Sequence, residues 1–91
     1  MAAEIIEDIQ VAGPGSDFLA AVEVYNDDAF PMDQVIRAFC EVLPACDPDR
    51  ALDLMLNIHN NGVGTVWQGP REVCELYSEQ LCARGLDARV A

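Results

Sequence analysis

Hydrophobic and polar positions alternate over residues 18–25, FLAAVEVY, where two valines at alternate positions are separated by a glutamate and followed by a tyrosine. A period of two predicts a strand with one buried face and one more hydrated face. The preceding AGPGSD cluster interrupts regular structure. We therefore predict a flexible acidic extension over residues 1–17 and a folded domain over residues 18–91.

The pattern then changes to helical spacing. Apolar residues recur three and four positions apart over residues 31–43, which predicts a helix. Its first residue, Pro31, has no N–H to lose in a first helical turn, and Pro44 follows its end. A second helix is predicted over residues 47–61, because it begins with an Asp-Pro pair and ends at an Asn-Gly pair.

Three further elements complete the predicted domain. VGTVWQ predicts a short strand, a Gly-Pro pair opens a third helix that Gly85 closes, and residues 87–90 predict a final strand. Three short strands cannot bury themselves, so we expect the helices to cover one face of the sheet. The predicted fold is α+β, with three helices on a three-stranded antiparallel sheet in the order β-α-α-β-α-β.

The charge of the chain restricts its partners. Its 91 residues contain 16 Asp and Glu, five Arg, no Lys and one His, for a formal net charge of −11. This charge repels nucleic acid and anionic membrane surfaces, so we expect neither as a partner. The longest clearly apolar run, FLAAV, is too short to span a bilayer. Cationic ligands or basic protein surfaces fit better; an acidic face that only promotes solubility is the alternative.

The four cysteines, Cys40, Cys46, Cys74 and Cys82, show no C-x-x-C spacing. The single histidine cannot complete an ordinary Cys/His zinc site with them, so we predict no metal and no other cofactor. We interpret the cysteines as buried small hydrophobic side chains in a reducing compartment. A disulfide between one of the first two and one of the later two is the alternative.

Three adjacent acceptor side chains, Asn26, Asp27 and Asp28, lie between the first strand and the first helix. Such residues form turns and cap helices by accepting backbone N–H bonds, which is one interpretation. In the other, two or three of them bind a cation, either a metal ion or a protonated amine. Met55 and His59 are one helical turn apart and would place an imidazole acceptor beside a hydrophobic side chain, although both residue types are also common in cores.

These residues form two motifs. NDDAFPM is followed, 23 residues after Met32, by MLNIHNNG and then by PREVCE. At this separation the elements NDD-x-x-PM and M-x-x-[VI]-H-x-x-G resemble the ClpS family of N-degron adaptors. The resemblance runs ungapped from residue 22 to residue 75 and more loosely to residue 90.

The resemblance implies a role for each matching residue. Asn26, Asp27 and His59 would surround the free α-amino group of a substrate's first residue, while Asp28 would shape the loop and the electrostatic field. Met32 would also screen out β-branched first residues. The pocket for a bulky first side chain would be formed by Phe30, Met32, Val35, Met55, Ile58 and Ala88. The helix that meets the unfoldase would present Glu72, Glu75 and Tyr77.

The family also implies a function without catalysis. Its members bind N-terminal Leu, Phe, Tyr or Trp and deliver such substrates to an AAA+ unfoldase, here of the ClpA or ClpC type. We expect a monomer in a bacterial cytoplasm, or in a plastid stroma after removal of a transit peptide. Residues 1–17 would take part in delivery; an inert tail is the alternative.

Some positions depart from the usual family pattern. Phe30 stands where threonine is usual and Ala88 falls near a usual leucine, so substrate preference is expected to differ. Tyr77 stands where lysine is usual, which affects the docking surface. Two alternatives therefore remain: a ClpS-like interaction domain without degron binding, and a metal-dependent hydrolase that uses Asn26, Asp27, Asp28 and His59.

Overall fold

A central antiparallel sheet carries the three helices in the computed structural model, which describes residues 19–91. The middle strand β1 pairs with β2 on one side and β3 on the other. The α+β class and the predicted element order are confirmed, whereas the predicted extension over residues 1–17 lies outside the described residues. The elements are β1 (Leu19–Tyr25), α1 (Met32–Val42), α2 (Pro48–Asn61), β2 (Val63–Pro70), α3 (Arg71–Ala83) and β3 (Asp87–Val90).

Local chemistry explains the ends of α1 and α2. Pro31, predicted as the first residue of α1, instead precedes the helix as its N-cap in an extended conformation. Leu43 after the helix is also extended, as expected for a residue followed by proline. Asp47 caps α2, because its Oδ1 accepts a hydrogen bond of 2.8 Å from the Arg50 N–H. Gly62 ends α2 at a φ of +84° and donates its N–H to the carbonyl of Ile58.

The core lies between the helices and one face of the sheet. Alternate residues of β1 are buried, while the residues between them are partly exposed on the opposite face. The largest fully buried side chains are Phe39, Leu81, Val22, Val24 and Cys74. The helices therefore cover one face, as predicted. None of the helices in residues 19–91 has the length and hydrophobicity needed to cross a membrane.

Close packing of α2 on β2 positions the segment that follows β1. A β-carbon placed on Gly64 would lie 2.9 Å from Ile58 Cγ1, so only glycine lets the helix approach the strand this closely. At the same end, the Asn26 N–H donates a 2.9 Å hydrogen bond to the Gly62 carbonyl. This bond holds the residues after β1 next to the C-terminus of α2.

The four cysteines are free thiols with different exposures. The prediction that all are buried is right only for Cys74, since Cys40 and Cys46 are partly buried and Cys82 is exposed. The Cys82 thiol instead lies 3.2 Å from the carbonyl oxygen of Ala88, in hydrogen-bonding geometry. Leu81, the preceding residue of α3, is fully buried. Because adjacent residues of a helix point in different directions, Cys82 faces away from the core.

Candidate functional site

A cavity of about 200 Å³ opens where the end of β1, the start of α1 and the C-terminal half of α2 meet. We call it the α1–α2 cavity. One end of its lining is polar and the remainder is largely apolar. Its lining residues are Val24, Tyr25, Asn26, Asp27, Asp28, Phe30, Met32, Val35, Met55, Ile58, His59 and Leu86.

Asp28 connects two acceptor residues at the polar rim. Its Oδ1 accepts a 2.8 Å hydrogen bond from the Asn26 side-chain amide and lies 3.9 Å from His59 Nδ1. The His59 and Asp28 side chains are 55% and 82% exposed, so both are open to solvent at the rim. Asn26 uses its amide nitrogen in this contact, and within residues 19–91 no donor occupies its side-chain oxygen.

Asp27 forms the turn that leads into α1. Its Oδ1 accepts a 3.0 Å hydrogen bond from the Ala29 N–H, and its carbonyl accepts one of 3.0 Å from the Phe30 N–H. The turn-forming interpretation therefore applies to this residue. The side chain remains exposed at the rim, so its negative charge also contributes to the field of the cavity.

The apolar wall combines buried and exposed side chains. Met55 and Ile58 on α2 are only 6% and 5% exposed, and Val35 on α1 is partly buried. Met32 is 53% exposed, which places it at the mouth. Two thioether side chains make this wall adaptable, because methionine has three rotatable bonds and a polarizable sulfur.

Ala88 does not line the α1–α2 cavity, contrary to the sequence-based prediction. It is buried opposite Val24 in the sheet, and its carbonyl accepts a 3.0 Å hydrogen bond from Ser78 Oγ. Leu86, two residues earlier, lines the cavity instead. Its N–H bonds to the Leu81 carbonyl at the end of α3, so the turn after the helix brings Leu86 inward.

Three lining residues were missed by the sequence interpretation: Val24, Tyr25 and Leu86. The first two directly precede Asn26, and this adjacency was the available signal. Leu86 follows Gly85, whose φ is +98°. An apolar residue directly after such a helix-ending glycine often packs back on the helix, but the pattern does not reveal which cavity it meets.

The residues predicted to dock an unfoldase lie on α3, away from the cavity lining. Glu72 and Glu75 are exposed and Tyr77 is partly buried. The Tyr77 ring contacts Trp67 edge to face, with ring centroids 4.9 Å apart and an interplanar angle of 84°. This contact fixes the ring on the surface of the helix, and no residue of α3 itself lines the α1–α2 cavity.

The chemistry of the rim suits a cation that donates hydrogen bonds. An amide oxygen, carboxylate charge and an imidazole lie around one end of an apolar cavity. Within residues 19–91 no group of three or more His, Cys, Asp or Glu side chains is arranged to hold a metal ion. The histidine and aspartates at the rim therefore do not form such a group in the described part of the chain.

Comparison with known proteins assigns the family. The profile described as ATP-dependent Clp protease adaptor protein ClpS matches residues 17–89. The Clp protease adapter ClpS of Synechococcus elongatus is 35% identical over 69 residues, covering 76% of this chain and 73% of that protein. The ClpS of Thermosynechococcus vestitus is 40% identical over 65 residues, covering 71% of this chain and 69% of that one.

A solved structure shows the same fold. Agrobacterium tumefaciens ClpS2, bound to L-phenylalaninamide, superposes with a TM-score of 0.78 at 21% sequence identity, covering 82% of this chain and 96% of that one. The profile match spans most of the chain, and both curated relatives exceed 30% identity. The chain therefore belongs to the ClpS family, the adaptor proteins of the ATP-dependent Clp protease.

Proposed function

We propose that this adaptor binds the free α-amino group and the bulky hydrophobic first side chain of N-degron substrates that begin with Leu, Phe, Tyr or Trp. The proposal rests on one observation: the α1–α2 cavity has acceptor side chains at one end and an apolar wall beyond them. A substrate N-terminus has the same two parts in the same order, a protonated amine followed by a side chain.

The amine end requires three acceptors. A protonated α-amine offers three N–H donors and a positive charge. The free side-chain oxygen of Asn26, the Asp27 carboxylate and a neutral imidazole nitrogen of His59 supply these acceptors, and Asp28 orients Asn26 through the 2.8 Å hydrogen bond. The surrounding negative charge of the chain further favours a cation.

The expected affinity follows from these contacts. Each charge-assisted hydrogen bond contributes about 1.5–3 kcal/mol, and burial of one large apolar side chain contributes about 1.5–3 kcal/mol. Association and ordering costs oppose them. We therefore expect a Kd in the micromolar range, which corresponds to a binding free energy of about −8 kcal/mol.

Delivery to an AAA+ unfoldase of the ClpA or ClpC type completes the proposed function. The exposed carboxylates of Glu72 and Glu75, with the ring of Tyr77, form the proposed docking surface on α3. That surface is separate from the cavity lining, so one adaptor molecule can hold a substrate and the unfoldase together. The proposed place of action is the bacterial cytoplasm, and the relatives are bacterial proteins.

Residues 1–17 are proposed to assist delivery. Deletion of residues 1–16 should leave peptide affinity unchanged, because no described part of the cavity is removed. Degradation of an N-degron reporter by the Clp protease should slow. Undiminished degradation by the shortened protein would refute this part of the proposal.

A titration with paired peptides tests the amine site. Fluorescent peptides that differ only in the first residue would be compared across all twenty residues, each with a free and an acetylated N-terminus. We expect binding of the Leu and aromatic peptides and at least a tenfold loss on acetylation, about the value of one charge-assisted hydrogen bond. Equal binding of both forms would refute the amine site, and no measurable binding would favour a ClpS-like interaction domain without degron binding.

A further inference from the structure

Phe30 is held between the α1–α2 cavity and the turn that follows α3. It lines the cavity and is partly buried. A β-carbon placed on Gly85 would lie 2.8 Å from Phe30 Cε1, so the edge of the ring rests directly against the glycine. The next residue, Leu86, lines the same cavity. The ring and the turn thus form one continuous wall.

The size of the cavity limits the side chain that this wall admits. Its volume is about 200 Å³, part of which lies beside the polar rim. An apolar protein cavity of about 150 Å³ holds benzene, which has six heavy atoms. In proportion, the nine heavy atoms of an indole ring need about 225 Å³. The α1–α2 cavity is thus larger than a cavity that holds benzene and smaller than this proportion gives for an indole, so an isobutyl group or a single aromatic ring fits more readily than an indole.

We infer that Phe30, supported by Gly85, is a specificity-determining residue that limits the size of the substrate's first side chain. It admits Leu and single-ring aromatic residues and disfavours Trp. The inference rests on the proposed function and narrows its range of substrates. Phe30 is the largest of the purely hydrocarbon side chains that line the cavity, so its truncation opens more apolar space than truncation of any aliphatic lining residue.

Three peptides that differ only in a first residue of Leu, Phe or Trp test this inference by fluorescence anisotropy. With the unaltered protein, we expect the Kd of the Trp peptide to be about tenfold above those of the other two, because overpacking a formed cavity is unfavourable. Phe30→Ala should reduce this ratio to less than about threefold. Phe30→Leu keeps an apolar wall and should give an intermediate ratio, and it decides the question if Phe30→Ala does not fold.

Gly85→Ala provides a second, independent test. An alanine is strained at the φ of +98°, so we expect thermal stability to fall in both backgrounds. Its methyl group also meets the far edge of the Phe30 ring rather than backbone, so the ring has to shift. We expect Phe-peptide affinity to fall by about threefold more than Leu-peptide affinity. In the Phe30→Ala background the same glycine substitution should leave the ratio of Phe to Leu affinity unchanged. If Gly85 has only a structural role, Gly85→Ala will lower thermal stability without changing the ratio of Phe to Leu affinity in either background.

The outcomes separate this inference from the proposed function. If free and acetylated peptides bind equally, the amine site fails and the size limit fails with it. If the free amine is required but the Trp peptide binds as tightly as the Phe peptide, only the size limit is overturned. The size limit alone is also overturned if the ratio of the Trp-peptide Kd to the Phe-peptide Kd is unchanged in both Phe30 variants.

Discussion

The side-chain amide of Asn26 donates a 2.8 Å hydrogen bond to Asp28 Oδ1, two residues further along the turn. This contact commits the amide nitrogen to the protein and leaves the amide oxygen as an acceptor. It also places a carboxylate 3.9 Å from His59 Nδ1. The orientation of the Asn26 side chain therefore depends on a contact local to the sequence, whereas the distance between Asp28 and His59 depends on how α2 packs beside this turn.

Asn26→Ala tests this acceptor directly. It removes the oxygen proposed to accept from the substrate ammonium, so we expect at least a tenfold rise in Kd for a free-amine Phe peptide, equivalent to about 1.5 kcal/mol. Calorimetric titration gives the affinity. Asp28→Ala is the matched control, because it removes the orienting partner but not the proposed contact, and it should cost less than Asn26→Ala. Wild-type affinity in Asn26→Ala would exclude this role.

Met32→Ala should relax selection at the mouth of the cavity. Met32 is 53% exposed and lines the cavity, so its truncation widens the mouth of the cavity with little effect on stability. We expect peptides beginning with Ile or Val to gain about fivefold in affinity relative to a Leu peptide, measured by competition. Leu56→Ala is a suitable control, since Leu56 is 41% exposed and does not line the cavity. An unchanged ratio in Met32→Ala would show that selection lies elsewhere.

Ser78→Ala should affect stability but not binding. Ser78 is 8% exposed, and its hydroxyl donates a 3.0 Å hydrogen bond to the Ala88 carbonyl, joining α3 to β3. We expect the free energy of unfolding to fall by about 1 kcal/mol in urea titrations, with peptide Kd unchanged. Glu79→Ala, at the exposed neighbouring position of α3, should change stability much less. Equal losses in the two variants would contradict the importance of this bond.

Cys46 should make stability depend on pH in the alkaline range. Burial, and then the neighbouring Cys40 thiol, raises the pKa of the Cys46 thiol; Asp47 adds to the rise and Arg50 opposes it. The folded state therefore holds the proton more tightly than the unfolded state. The protonated Cys46 thiol therefore adds to the free energy of unfolding. This contribution is complete below the unfolded-state pKa and is lost as the pH rises through the folded-state pKa.

We expect Cys46→Ala to reduce the loss of unfolding free energy between about pH 7 and pH 10. Urea denaturation at several pH values measures it. A steeper alkaline loss in Cys46→Ala would reverse the assigned sign.

The segment around the final strand shows which features the sequence predicts and which it does not. The bounds of β3 were predicted correctly as residues 87–90, yet the residue assigned to the cavity was Ala88 rather than Leu86. The two lie two positions apart, and both are buried. Periodicity gives the buried face but not the position along it, because that position depends on which distant segments pack there.

The sequence by itself determined the ends of the helices and the two motifs of the rim. Pro31, Asp47 and Gly62 act within a few residues of their own positions, through a lost donor, a capping carboxylate and a left-handed backbone, so local chemistry is sufficient. Only the tertiary structure decided that Phe30 rests on Gly85 and that Leu86 completes the cavity. Phe30 and Gly85 are more than fifty positions apart in the sequence, and the two contacts form only when α3 and β3 pack beside the start of α1.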